Sequence, residues 1–339
     1  MLGLLAAYLQ PCAFLSEVDI AFWDPERSGY VDYIEGDKRS GQLAFNWGVG
    51  VMLTALTPAA KEDPKWAERL RAYLRTVTTY WNEEGPVPGF DVLPAPKPVD
   101  RYYDDNAWMV MALIEAAEAL NEPQWNTWAE RSLRYVLSGE DDKLGGGIYW
   151  KETEKASKNT CSNGPAAAAC LAMYRVNRNP EYLERARRLY AWTKSRLQDP
   201  EDGLYWDNIA LDGRIEKTKW SYNTALMLRS AVELHELTGE PEYLADAKRM
   251  ASAAVARWIR TDGKVACEGR FAHLLLENLL RYEAATGERV FDSAAVTAQL
   301  KALKADGWLG KRWDQPGSGD RVELIDQASG VRALFILRR

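Results

Sequence analysis

Two adjacent carboxylates, Asp104 and Asp105, stand between a pair of tyrosines and an Asn-Ala-Trp in the run Asp100-Arg101-Tyr102-Tyr103-Asp104-Asp105-Asn106-Ala107-Trp108. Glycoside hydrolysis needs a carboxylic acid to protonate the leaving oxygen and a carboxylate to attack or to activate water. Neighbouring Cα atoms lie ~3.8 Å apart, so two carboxyls reaching one pocket fall nearer the ~5–5.5 Å separation of retaining enzymes than the longer inverting distance. Adjacent helical residues point about 100° apart, so both must sit in the first, irregular turn to face one sugar. Their mutual repulsion raises one pKa, as a general acid requires. The same pair has a structural use, because carboxylates at a helix start cap free N–H groups and favour the positive end of the helix dipole. The rest of the chain decides between the two.

Its composition is that of an ordinary globular protein: 339 residues, 47% hydrophobic and 27% charged. A formal charge of −6 leaves no basic stripe for phosphates, so neither nucleic acid nor an anionic membrane surface is expected as a partner. No run approaches the ~18 apolar residues of a membrane span. Trp and Tyr number 14 and 16 against 7 Phe, an excess of flat apolar faces with polar tips that matches the C–H faces and hydroxyls of sugars. His235 and His273 are the only histidines, and both sit inside apolar helical patterns. A metal site or a histidine-based triad is therefore poorly supplied, and neither metal nor cofactor is expected. Cys12, Cys161, Cys170 and Cys267 lack C-x-x-C spacing and read as reduced, mostly buried thiols. Met1 to Leu9 is apolar without a basic flank or a small-x-small cleavage site, so it reads as a first barrel helix and not as a signal peptide. That favours a cytoplasmic location for the chain as given, or secretion where a leader has been removed.

The elements that would position the pair repeat along the chain. Asp63-Pro64-Lys65-Trp66, Glu122-Pro123-Gln124-Trp125, Asn179-Pro180-Glu181-Tyr182 and Glu240-Pro241-Glu242-Tyr243 recur at intervals of 59, 57 and 61 residues, and Glu288-Arg289-Val290-Phe291 is a fifth copy without the proline. Proline suits a first helical turn because its missing N–H would be unpaired there anyway. Periods of this length indicate stacked helical hairpins. The segments after each mark are amphipathic outer helices, and those before it, such as 107–120, 166–174 and 225–237, are apolar on most sides, as inner helices must be. The connections from outer to inner helix are long and carry Gly followed by an extended run, as in Gly147-Ile148-Tyr149-Trp150 and Gly203-Leu204-Tyr205-Trp206-Asp207, which predicts small β-hairpins. The connections within a hairpin are short, leaving one rim for function.

Starts and stops predict about twelve helices, the first near 4–23 and the last near 322–337. Six hairpins closing into a ring make an all-α (α/α)6 barrel, a single domain over residues 1–339, with the Pro-rich stretch 86–98 as one inter-hairpin loop. An open solenoid is the alternative, disfavoured by the lack of polar capping repeats. In the barrel, the polar starts of the inner helices converge: Asn46-Trp47, Asp104-Asp105-Asn106, Asn159-Thr160-Cys161-Ser162-Asn163, Trp220-Ser221-Tyr222-Asn223, Glu268-Gly269-Arg270-Phe271 and Asp326-Gln327. Capping accounts for some of these polar residues but not for the aromatic beside nearly every one. Amides, hydroxyls and indole faces at one end of a barrel describe a carbohydrate cleft.

The run Tyr102 to Trp108 resembles the signature of the family 76 glycoside hydrolases, the endo-α-1,6-mannanases. The likeness continues through Gly146-Gly147-Ile148-Tyr149-Trp150, Lys158-Asn159-Thr160-Cys161-Ser162-Asn163, Gly203-Leu204-Tyr205-Trp206-Asp207 and Trp220-Ser221-Tyr222-Asn223, covering most of residues 40–285. It implies an (α/α)6 barrel, an α-mannan or manno-oligosaccharide substrate, and a retaining double displacement with Asp104 as nucleophile and Asp105 as acid/base. It also implies sugar-cleft roles for Trp150, Asn159, Asn163, Asp207, Tyr222 and Asn223; Tyr103, Asn106 and Trp220, in the same motifs, complete the candidate set. Met109 and Val110 follow Trp108 where many relatives carry another aromatic. The expected enzyme is a monomeric, retaining endo-α-1,6-mannanase. Transglycosylation through the same aspartate pair and a non-catalytic carbohydrate-binding protein remain open alternatives. A sugar epimerase of the same barrel lacks the histidines it would use at the mouth, and Asp100 with Asp104-Asp105 does not make the D-x-D-D run of a terpene cyclase.

Overall fold

Proline again marks where the outer helices begin. The computed structural model describes residues 10–94, 98–305, 307–317 and 319–338, so the helix expected over Met1 to Leu9 lies outside the described residues. Twelve α-helices are found among them: α1 (Pro11–Phe22), α2 (Asn46–Glu62), α3 (Pro64–Val77), α4 (Tyr103–Leu120), α5 (Gln124–Leu137), α6 (Thr160–Asn177), α7 (Pro180–Leu197), α8 (Ser221–Thr238), α9 (Pro241–Trp258), α10 (Gly269–Thr286), α11 (Ser293–Ala305) and α12 (Leu324–Ile336). Pro64 and Pro180 each occupy a first turn whose cap, Asp63 or Asn179, accepts the N–H two residues on. Where the proline is missing the start moves: α11 begins at Ser293, past Phe291, with Asp292 accepting the N–H of Ala294 at 2.9 Å. Four inner helices stop on a left-handed residue, Asn121, Arg178, Gly239 or Gly287, which turns the chain tightly into the next outer helix.

The even-numbered helices form the inner ring. Each packs on the next, α2 on α4, then α6, α8, α10 and α12, and α12 packs back on α2. The ring is thus closed and the open solenoid is excluded. The sixth hairpin joins the two ends of the chain, α1 lying outside α12. Burial follows from this placement. Every residue of α6 from Thr160 to Met173 is buried, whereas α7 buries one stripe, with Tyr182, Ala186, Leu189, Tyr190 and Thr193 inward. Truncating a ring residue such as fully buried Leu226 or Leu228 would cost about 2–5 kcal/mol.

The expected β-hairpins are mostly narrower than true strands. Single antiparallel bridges join the residue just past an outer helix to the run after the glycine: Glu140 to Ile148, Gln198 to Tyr205 and Ile259 to Val265. Two three-stranded sheets do form on this rim. Tyr33–Glu35 pairs with both Lys38–Arg39 and Arg321–Glu323, tying the two ends of the chain together, and Ser157–Asn159, Asn208–Ala210 and Ile215–Glu216 make the other.

Side-chain amides fix these loops to the helices, three from the inner ring and Gln299 from outer α11. Asn106 accepts the Phe90 N–H at 2.8 Å and donates to the Phe90 carbonyl at 2.9 Å. Asn163 does the same to Ile148, at 2.7 and 2.9 Å, Gln299 to Val265, at 2.8 and 2.9 Å, and Gln327 to Leu309, at 2.9 and 2.8 Å. An amide is the side chain that offers one donor and one acceptor side by side, matching one residue's backbone. Four rim loops therefore have a defined height above the ring.

Candidate active site

Asp104 and Asp105 occupy the second and third positions of α4, in the first turn where both were required to sit. The chain before them is held in antiparallel pairing with the segment after Tyr149. Tyr102 bridges Lys151, the Tyr103 N–H donates to the Trp150 carbonyl at 3.0 Å, and the Glu152 N–H to the Arg101 carbonyl at 3.2 Å. A buried ion pair locks this ladder. Fully buried Arg101 reaches both carboxylate oxygens of Glu152, at 2.7 and 3.1 Å, and also bonds the carbonyls of Asn82 and Glu84. Bidentate geometry makes such a pair directional. Its consequence is that Trp150 stands next to Asp104, its indole N–H donating to Oδ2 at 3.1 Å while 43% of the residue remains exposed. Tyr102 meets the Trp150 ring edge-on at 4.9 Å.

Both carboxyls are hard to ionise. Burial pushes Asp104 up to about 6, against the opposing pull of the Trp150 indole, the Cys161 thiol and the N–H groups of its own helix start. Asp105 is raised well above the usual carboxylate range by burial first, then by the Asp104 charge beside it and by Asp100. Both shifts run upward, and the Asp104 charge adds to burial at Asp105.

The second residues of the neighbouring inner helices complete the wall. The Cys161 thiol, on α6, lies against the Asp104 carboxylate, and the Tyr222 hydroxyl, on α8, lies against the thiol. Tyr222 stacks on Phe271 at 4.1 Å, Phe271 stacks on Trp47 at 5.5 Å, and Trp220 meets Phe271 edge-on at 5.9 Å. Aromatic rings from α2, α8 and α10 thus span the mouth. Asp207, raised by burial, is tied to Asn208 and faces the buried amide of Asn223. Asn159, at the start of α6, accepts the Ser157 hydroxyl at 2.7 Å.

Of the residues expected at the cleft, Asp104, Asp105, Trp150, Asn159, Asp207, Trp220, Tyr222 and Asn223 gather at this mouth. Three do not. Asn106 and Asn163 are fully buried with both amide atoms committed to the loops. Tyr103 is also buried, its ring stacked on Tyr135 at 4.9 Å, because the first residue of α4 points outward between the helix layers. Sequence reasoning placed Cys161, Trp47 and Phe271 among the converging helix starts but did not single them out as site residues. Their shared position, second or third in an inner helix like the aspartates, was the available signal. Met109 and Val110 are fully buried, so the missing aromatic does not alter the cleft wall. Among the described residues, no cluster of His, Cys, Asp and Glu has metal-ligating geometry.

The sequence profile of glycosyl hydrolase family 76 matches residues 20–279. A family 76 α-mannanase of Bacteroides thetaiotaomicron is 26% identical and superimposes with a TM-score of 0.85, over 97% of this chain and 93% of its own. An α-1,6-mannanase of Salegentibacter sp. is 27% identical, with a TM-score of 0.81 over 97% and 98% of the two chains. An inactive variant of the Salegentibacter enzyme, with two consecutive aspartates changed to alanine, has been seen in complex with an α-1,6-linked mannotetraose. Mannan endo-1,6-α-mannosidase of Saccharomyces cerevisiae is 27% identical over 181 residues, 48% of this chain but only 40% of that protein's length.

Proposed function

Because the chain belongs to glycosyl hydrolase family 76, we propose that it cleaves α-1,6-mannosidic bonds within mannan chains, with retention of configuration, through Asp104 and Asp105. Asp104 attacks the anomeric carbon as Asp105 gives its proton to the departing glycosidic oxygen, leaving a mannosyl ester on Asp104. Asp105, now ionised, takes a proton from water, which attacks the same carbon and releases Asp104. The observation that carries this assignment is the unequal environment of the pair. Asp104 receives the Trp150 indole N–H and the Cys161 thiol, which favour its charged form, while Asp105 has the Asp104 charge beside it, which favours its protonated form. Trp150, Tyr222, Trp220 and Asp207 would hold the sugar rings, with aromatic faces against C–H faces and a carboxylate on a hydroxyl.

Hydrolysis of linear α-1,6-mannan followed by proton NMR tests the proposal. Asp104→Asn and Asp105→Asn should each abolish oligosaccharide release, and the α-anomer should form first. Full activity in either variant would remove the assignment, and a β-anomer as first product would contradict retention.

A further inference from the structure

A lysine lies buried behind the loop that carries Trp150. In the strand Ser157–Asn159 successive side chains alternate sides. The Ser157 hydroxyl meets Asn159 on the side of the mouth, and Lys158 turns the other way, with none of its side chain exposed. Its ammonium donates to Asp141 Oδ1 at 2.7 Å and to the carbonyls of Asp141, Lys143 and Gly146 at 3.0, 2.7 and 2.7 Å. Three carbonyls and a carboxylate around one point are the kind of oxygen set with which loops hold a hard cation, and here the lysine provides the charge. The loop is bent to make that set: Leu144, Gly145, Gly146 and Gly147 follow one another at positive φ, of 58°, 76°, 123° and 83°, a conformation unfavourable for a leucine. Tyr149 closes the cage, its ring 4.8 Å from the ammonium and its hydroxyl donating to Asp141 Oδ2 at 2.8 Å. Burial alone would raise the Asp141 pKa, but Lys158 and Tyr149 hold it below the usual carboxylate range.

We propose that Lys158 is a positioning residue for Trp150: by holding the 141–146 loop closed, its ammonium sets the backbone of Tyr149 and Trp150 and so the aim of the indole at Asp104. This rests on the mannanase reading and adds to it a residue that touches no substrate. Tyr149 and Lys158 face each other in a single antiparallel bridge, and the Trp150 N–H donates to the Ser157 carbonyl at 3.3 Å. The cage thus ends one residue before the indole. Trp150 itself is 43% exposed and has little packing of its own to fix it. Its 3.1 Å bond to Asp104 therefore depends on the backbone beneath it, because a hydrogen bond weakens steeply as its angle departs from linear. Asn163 clamps Ile148, two residues before Trp150. Lys158 and Tyr149 govern the next step of the chain.

A double-mutant cycle on linear α-1,6-mannan tests this, with kcat/KM measured across pH for wild type, Lys158→Met, Trp150→Phe and the double variant. Lys158→Met alone should lose about tenfold and move the acidic limb to higher pH, the direction in which loss of the indole donor moves it. The other groups facing Asp104 are Asp105 beside it, Cys161 on α6, and Tyr222 and Asp207 beyond the thiol. All of them are intact in these variants. In the Trp150→Phe background, Lys158→Met should cost less than about twofold, since the bond it disturbs is already gone. Asp141 is 37% exposed, so Asp141→Asn can be hydrated; it should give a smaller loss of the same pattern, and it provides the answer where Lys158→Met fails to fold. The same factor lost in both backgrounds, or an unmoved limb, would overturn the role of Lys158 and leave the mannanase reading standing. A wild type inert toward mannan would overturn both.

Discussion

The indole N–H of Trp150 donates to Asp104 Oδ2 across 3.1 Å, joining a residue of the rim loop to one on the inner ring, 46 positions earlier in the chain. A hydrogen bond to a charged acceptor contributes about 1.5–3 kcal/mol. Trp150→Phe keeps the ring and removes the donor, so kcat/KM on mannan should fall about 10- to 100-fold. The acidic limb of the pH–rate profile should also move to higher pH, because the indole is among the groups holding the Asp104 pKa down. A loss of activity with an unmoved limb would mean that Trp150 acts only as a stacking surface.

The pair predicts the shape of that profile. Asp104 must be ionised to attack and titrates at about 6, so activity should fall as pH drops through 6. Asp105 must be protonated, and its raised pKa puts the opposite limb at higher pH. The optimum lies between them. A kcat/KM profile flat from pH 4 to 6 would contradict the role of Asp104.

The catalytic arrangement should cost stability. A carboxyl whose folded pKa is raised favours the folded state below its ordinary value, near 3.8, and loses that contribution as pH rises through about 6. At pH 7 the native protein therefore carries a poorly solvated charge. Asp104→Asn should raise Tm at pH 7 by on the order of a few degrees, with the difference closing toward pH 4. Thermal unfolding at the two pH values checks this; a variant less stable than wild type at pH 7 would sink it.

Cys161 links Tyr222 to Asp104 through its thiol. Cys161→Ala removes a donor to the nucleophile and should raise the acidic limb, while Cys161→Ser supplies a hydroxyl in its place and should restore it. Identical profiles for the two variants would assign the thiol to packing alone.

Much of this was legible in the sequence because the barrel is periodic. Prolines 57 to 61 residues apart gave the outer helix starts, and the polar ends of the apolar segments gave the rim. What a linear pattern could not resolve is rotation about each inner helix. Tyr103, Asp104, Asp105 and Asn106 are consecutive and all look suited to binding sugar, yet a step of about 100° per residue sends the first outward to Tyr135 and the last under the Phe90 loop. The same geometry concealed Cys161, read as a buried thiol although it shares the helical position of Asp104. The sequence also carried no sign of the clamps. An Asn or Gln amide that binds one backbone residue 15 to 34 positions away looks, in sequence, like any polar helix residue.

At the end of the ring away from the mouth, Arg332 on α12 provides a test of what holds the inner helices together. It makes two bonds to Glu277 on α10, at 2.9 and 3.1 Å, one to Glu115 on α4 at 3.2 Å, and one to the Thr54 carbonyl on α2 at 3.1 Å. Burial alone would raise the pKa of Glu277, but the Arg332 guanidinium, with Arg229 and Arg281, holds it down to about 2. A depressed carboxyl stabilises the fold above its ordinary value near 4.5 and loses that contribution as pH falls through about 2. Arg332→Met preserves the apolar stem and strands the two glutamates, so it should cost about 3–5 kcal/mol at neutral pH. The deficit should shrink as pH falls, because Glu277 and Glu115, without the Arg332 guanidinium, protonate more readily than in wild type. Adding Glu277→Leu should recover part of the loss, since it removes one buried charge. The turnover number at 25 °C should be unchanged, because the network lies at the opposite end of the ring from Asp104. Denaturant unfolding at pH 7 and pH 4 gives the comparison, and a deficit independent of pH would assign the contribution of Arg332 to packing rather than to charge.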